Sequence, residues 1–452
     1  MKFSTLVSLA FALVGSVSAS SCTDANGYYY CNETPKFIYK NVGFPGSYRN
    51  VVSMNEDNTA VSYETATFSG PLSPFDEELS VHIRGPINLH EFAVYYPANS
   101  GSAHKKRDDD EECSTTKHVH HRHVKRATRV VTETKYVDEN GHPITETAEP
   151  VPTTTSSTSS NANTANTNPA APVAPVSSSS ANVKPSPATS SANPASPASS
   201  SSSSSASTAT AGAGDWIRTS HYVPGSTSNL TVLNNLGGGG SGVWSPTWGL
   251  SLSYANADNS GAASSATPLK DVTLASIKEF SLWSGLQCGD SSEEYGCGYS
   301  RPNSVAMHAF AGAEKIMVFS FTMPADESTS TEGGIDMPAI WLLNAKIPRI
   351  GQYLGISCWT SGCGELDLFE VLVNDKNKMV TALHDKQGGN GMGSSDYISR
   401  PFDTPMKAVV IFYEGEIHIQ VVDSNYQFGS TLSGSQVSSW RSVGGTEIVL
   451  SS

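Results

Sequence analysis

Apolar residues in this chain gather in short alternating runs, and the runs fall into two separated sets. The first, between Cys22 and Ala103, contains FIYK, AVSYETATF, LSVHIRG and EFAVYYP, rich in aromatic and β-branched residues and broken by Gly, Pro and Asn. The second, between Asp215 and Ser452, contains KIMVFSFTM, ELDLFEVLV, MVTALH and KAVVIFYEGEIHIQVVD. Period-two alternation punctuated by turn residues predicts strands, with no convincing helical period in the first set. FYEGEIHIQVV predicts a hairpin turning at Glu414–Glu416. Between the sets, residues 104–214 open on HKKRDDDEE and continue as Ser, Thr, Pro, Ala and Asn. Such a tract cannot bury a core and is expected to stay disordered or extended, as an O-glycosylated stalk does. The expected organisation is a leader at 1–19, a β-rich module at 20–103, the linker at 104–214 and a β-sandwich module at 215–452. The last, about 240 residues, is long enough for one large sandwich.

The ends and the cysteines set the compartment. Lys2, the apolar run Leu6–Val14 and the small residues Val17-Ser18-Ala19 read as a secretory leader. That run is too short to span a bilayer, and the closing GGTEIVLSS has no hydrophobic tail, so no membrane anchor is expected. Seven cysteines suit an oxidising environment. Cys22/Cys31, Cys288/Cys297 and Cys358/Cys363 are sequence-local pairs, with other connectivities open, and Cys113 is left over. No Cys-x-x-Cys spacing supports zinc. Asn32-Glu33-Thr34 and Asn229-Leu230-Thr231 are glycosylation sequons. The net charge of −14 argues against nucleic acid or an anionic membrane as partner and raises no objection to a neutral polysaccharide. Three linker features keep two readings each. Lys106-Arg107 and Lys125-Arg126 are processing sites or solvated charge. The cluster His118, His120, His121 and His123 is a metal ligand set or a solvated tract. GGGGSG at Gly237–Gly242 lacks the Lys-Ser/Thr of a phosphate loop and reads as a turn. No metal or cofactor is expected.

The stretch CGELDLFEVL places Glu365, Asp367 and Glu370 in a strand that wants to bury Leu366, Leu368, Phe369 and Val371. Simple alternation puts Glu365 and Asp367 on one face but would turn Glu370 inward and Phe369 outward. A β-bulge near Leu368–Phe369 adds one residue, resets the parity and returns Glu370 to the acidic face. Across it the two Glu backbones stand about 13 Å apart, at roughly 3.3 Å for each of four effective steps. Side chains leaning inward bring the carboxyls to about 5 Å, the separation of a retaining glycosidase pair. Two charges about 5.5 Å apart repel by roughly 3 kcal/mol at an effective dielectric near 20, or about two pKa units. A structural strand gains nothing from that; an acid/base pair, one proton between two carboxyls, does. A solvated acidic face or a calcium site is the competing interpretation.

The motif GELDLFE resembles the E-[ILV]-D-x-x-E signature of the bulged group of family 16 glycoside hydrolases. MPAIWLLN at Met337–Asn344 resembles the strand before that motif, and TALH at Thr381–His384 the one after it. The leader, SGPLSPFDEELSVHIRGP, the Ser/Thr linker and the C-terminal module together resemble fungal cell-wall proteins described as probable circularly permuted 1,3-β-glucanases. The resemblance implies an all-β, concanavalin-like jelly-roll sandwich with a concave sugar groove, secreted to the cell wall and acting on β-1,3-glucan. It implies Glu365 as nucleophile, Glu370 as general acid/base, and Asp367 as a hydrogen-bonding partner of the nucleophile. Trp359 and Trp341 are candidates for stacking on sugar rings, and His384 for lining the groove near Glu370. The order of segments departs from the ordinary family pattern. INLHEFAVYYP at Ile87–Pro97 resembles a closing strand yet lies near the N-terminus, so the N-terminal module is expected to donate strands to the same sandwich. A transglycosidase crosslinking glucans and a non-catalytic, lectin-like wall protein are the alternatives.

Overall fold

The computed structural model describes residues 22–99 without 26–27 and 56–59, residues 131–133 and 212, and residues 214–451 without 290–296, 329–333, 373–375 and 390. The leader, the dibasic pairs, the histidine cluster and Cys113 lie outside the described residues.

Ahead of the linker the chain forms β1 (Lys36–Lys40), β2 (Gly46–Asn55), β3 (Ala60–Phe68), β4 (Leu79–Arg84) and β5 (Ile87–Pro97). After it come β6 (Trp216–Val223), β7 (Leu230–Asn234), β8 (Glu279–Ser284) and β9 (Lys315–Thr322). Then follow β10 (Ala339–Asn344), β11 (Glu365–Val371), β12 (Lys378–His384), β13 (Met406–Tyr413), β14 (Glu416–Val422) and β15 (Thr446–Val449). Shorter strands extend the edges. Two sheets result, making a β-sandwich. One runs β6-β5-β9-β13-β14-β1-β15 and the other β7-β8-β4-β10-β11-β12. Pairing along both is antiparallel except between β15 and β1. β2 and β3 form a separate hairpin.

Three strands written before the linker lie inside sheets written after it. In the first sheet Phe92 of β5 sits between Tyr222 and Phe319. In the second, Ile83 of β4 sits between Phe280 and Ile340. Both are fully buried, and truncating such an aromatic to Ala costs about 3–5 kcal/mol. A buried charge ties β9 to two connecting segments. Lys315 opens the fully buried β9, and its Nζ donates to the carbonyls of Phe75 (2.7 Å) and Gly312 (2.8 Å).

The hairpin expected at Glu414–Glu416 is β13–β14, with Tyr413 opposite Glu416 and positive φ at Glu414 (49°) and Gly415 (78°), as a two-residue primed turn requires. The disulfides are Cys22–Cys31, Cys288–Cys297 and Cys358–Cys363. Two short helices, α1 (Lys346–Ile350) and α2 (Gly434–Ser442), interrupt a second set read as strands. α2 carries a legible start signal, Ser433, whose hydroxyl accepts from Gln436 N at 3.1 Å. It buries only Val437 and Trp440, too few for a helical period to stand out.

Candidate active site

β11 is bulged at Leu368. Against β10, Ile340 faces Phe369 and Trp341 faces Asp367, leaving Leu368 without an opposite number. Against β12 the same extra residue appears between Asp367–Ala382 and Glu370–Val380. Leu366, Leu368, Phe369 and Val371 consequently all join the sandwich core. Asp367 is nearly buried, while Glu365 and Glu370 are half-buried.

Directly opposed residues of neighbouring strands share a face. One row therefore crosses the sheet from Glu279 through Arg84 and Ala339 to Glu370. The next holds Ser281, His82, Trp341 and Asp367, and a third Ser80, Leu343, Glu365 and His384. Above these rows lies a cleft of about 270 Å³ lined by the three acids with Arg84, Trp341 and Trp359. Trp359 is placed by a 3₁₀ turn at Cys358–Ser361, closed by the Cys358–Cys363 disulfide and capped by Ser357 Oγ accepting from Trp359 N. Its indole Nε1–H donates to Glu365 Oε2.

Burial, and next the charge of Asp367, push both glutamates up to about 7. The Trp359 hydrogen bond opposes this at Glu365, and Arg84, with Nη2 3.5 Å from Oε1, opposes it at Glu370. His384 Nε2 lies 3.1 Å from Asp367 Oδ2, and that hydrogen bond raises the pKa of the imidazole. The site thus holds protons near neutrality on groups that in water would have lost them, the condition for acid/base work.

The structure brings together all six residues singled out in the sequence, with three changes of detail. His384 stands opposite Glu365, because the antiparallel register sets Val380 opposite Glu370. The carboxylate of Asp367 pairs with this histidine. Trp341, 5 % exposed, is floor: His82 lies 5.4 Å from its ring and the Arg84 guanidinium 5.7 Å. Of these two tryptophans, Trp359, at 47 % exposure, is the one that stands open to solvent. Sequence reasoning missed Arg84, His82 and Glu279. LSVHIRG was read as a strand and EFSLW was not singled out, and nothing local says that either lies beside the acids.

An all-β sandwich carrying a bulged acidic strand over an open cleft is the class of protein this fold and site define. The sequence matches the family described as Cell wall protein YJL171C/Tos1, C-terminal, over residues 214–440, and its N-terminal counterpart over residues 36–97. It is 48 % identical to the "Probable circularly permuted 1,3-beta-glucanase TOS1" of Candida albicans, covering 99 % of each chain. The protein of the same name from Saccharomyces cerevisiae is 44 % identical over 100 % of this chain and 99 % of its own. A Schizosaccharomyces pombe protein with the name "Probable circularly permuted 1,3-beta-glucanase" is 40 % identical over 98 % of each. The chain belongs to the YJL171C/Tos1 family of cell-wall proteins. No solved structure matches it.

Proposed function

We propose that this chain is a secreted, retaining endo-β-1,3-glucanase that remodels cell-wall glucan. The observation that carries the reading is the bulge at Leu368, which turns Glu365 and Glu370 of one strand toward the same cleft. Their shared rise to about 7 suits a pair that holds one proton between them. The indole N–H of Trp359 favours the ionised form of Glu365, making it the nucleophile. Glu365 attacks the anomeric carbon while Glu370 gives its proton to the departing glycosidic oxygen. Glu370, now a carboxylate, takes a proton from water, and the hydroxide breaks the glycosyl–Glu365 ester with retention. Asp367 keeps both glutamates' proton affinity high, and His384 balances its charge. Trp359 offers an open indole face to a pyranose ring. The secretory leader and the cell-wall family support an extracellular site of action.

The test is product analysis on linear β-1,3-glucan oligosaccharides, with the secreted chain beside Glu365→Gln and Glu370→Gln. New oligosaccharides of β configuration from wild type alone are expected. Products longer than the substrate would identify transfer to a sugar hydroxyl in place of water. Initial α products would overturn retention. A wild type inert toward β-1,3-glucan, other β-glucans and chitin oligomers, yet still binding sugar, would make the protein a lectin-like wall component.

A further inference from the structure

The groove does not end at the acids. A second cleft of about 560 Å³ adjoins the first and shares Arg84, Gln352, Tyr353 and Leu354 with it. At the junction the Tyr353 hydroxyl donates to Glu279 Oε1 at 2.6 Å. Glu279 is the far end of the row that runs through Arg84 and Ala339 to Glu370. The second cleft therefore continues the same face of the same sheet, across the strands.

Its wall is apolar where solvent would favour polar groups. Leu236, Leu250 and Ile277 line it while 38 %, 37 % and 38 % exposed. Ile277 is the telling residue. It sits in a turn at φ 60°, the left-handed region that a β-branched side chain rarely adopts. Such a conformation strains an L-residue, and glycine would avoid the strain. The fold gains no core contact in return, since the side chain stands partly in solvent. On one side its Cγ2 packs against the backbone of Gly334, where an added Cβ would lie 3.0 Å away. A strained apolar residue that lines an open cleft while partly in solvent points to a ligand.

We propose that this second cleft is a remote subsite for the same glucan chain, with Ile277 as its sugar-contacting wall and the Tyr353–Glu279 pair as the junction the chain passes. An apolar wall beside the hydrogen-bonding groups of Arg84, Gln352 and Asn235 suits a pyranose, apolar on its face and hydroxylated at its rim. The proposal rests on the glucanase reading. It makes the enzyme prefer long chains, because contacts far from the cleaved bond are used to orient the reacting one.

The experiment compares the full secreted chain with Ile277→Gly and Ile277→Asn, the second keeping bulk in a residue that tolerates left-handed backbone. The ratio of kcat/KM between a β-1,3-linked octasaccharide and trisaccharide is expected to fall about tenfold in both, the scale of a lost apolar contact. Ile277→Gly is expected to match or exceed wild type in Tm. An unchanged ratio in both variants would overturn the remote subsite while leaving the glucanase reading intact. A wild type without activity overturns that reading, and calorimetric titration of Glu365→Gln with the same two sugars then decides the cleft. Tighter octasaccharide binding that Ile277→Gly abolishes would support it. No binding, or a length dependence that survives the change, would overturn it.

Discussion

β9 and β11 each bury an apolar strand in one sheet of the sandwich, and each carries charge where charge is costly. In β9 the charge is Lys315, whose Nζ reaches two backbone carbonyls and the ring of Phe412 at 4.8 Å. In β11 it is three carboxyls facing a cleft. Burial brings both strands to the same pH from opposite sides, lowering Lys315 to about 7 and raising Glu365 and Glu370 to about 7. The partners separate them. Lys315 is enclosed, its amine donating to fixed carbonyls, so it holds β9 to the segments around Phe75 and Gly312. The glutamates lie beside a third acid, offset by the Trp359 indole N–H, the Arg84 guanidinium and His384 but not enough to cancel burial, and they open onto a space a substrate can fill. Buried charge with its partners made is architecture; buried charge left short of them beside a cleft is chemistry.

The largest test removes what the two strands share. β9 pairs directly with β5, and β11 is one strand removed from β4. Residues 215–452 expressed alone should fail to unfold cooperatively in a calorimeter, while co-expression with residues 20–103 should restore the transition. A stable fragment would mean that neither strand needs its N-terminal neighbours. Next, Glu370→Gln should lower kcat by about 10²–10⁴-fold with the circular dichroism unchanged, the range for a lost general acid. Lys315→Met should leave kcat near wild type and cost about 1–3 kcal/mol in urea unfolding, because two buried carbonyls lose their donor. Activity loss without destabilisation in Lys315→Met would erase the distinction between the strands.

Stability against pH sharpens the contrast, since the two strands respond in different windows. The glutamates' folded values lie above their ordinary 4.5, so their ionisation burdens the fold progressively as pH rises from about 4.5 to about 7. Glu365→Gln should therefore be more stable than wild type at pH 8, by on the order of 2 kcal/mol, and lose that advantage near pH 4. Lys315 has a folded value below its ordinary 10.5, so its burden is full below about 7 and fades as pH rises toward 10.5. Thermal unfolding of wild type, Glu365→Gln and Lys315→Met across this range separates the two. The smallest effect belongs to Trp359→Phe. Removing the indole N–H should move the acid limb of the kcat/KM profile to higher pH and lower its plateau about tenfold, one charge-assisted hydrogen bond's worth.

The candidate site was legible in sequence wherever its logic is internal to one strand. Glu365-Leu366-Asp367-Leu368-Phe369-Glu370 contains both the acids and the conflict of parity that demands a bulge, and the bulge is there at Leu368. Aromatic and β-branched runs bounded by turn residues also marked β1, β4, β5, β9, β12, β13 and β14; β12 alternates in burial, whereas β4 and β9 are buried on both faces. His384 shows the limit: its strand was recognised, but its register placed it at Glu365 rather than Glu370.

The sequence by itself determined that this is a β protein and that its second half carries three acids on one strand whose parity demands a bulge; the local cysteine pairing, which it left open, came from the structure. Only the tertiary structure decided which strands lie beside the acidic one. Arg84 of β4 reaches the row of Glu370 from 286 residues away (370−84), across a linker that carries no pattern of its own, and Glu279 of β8 from 91 residues away (370−279). The reason is physical. Which face a side chain takes follows from local backbone geometry, whereas the order of strands in a sheet follows from non-local pairing that buries the most apolar surface for the whole chain at once.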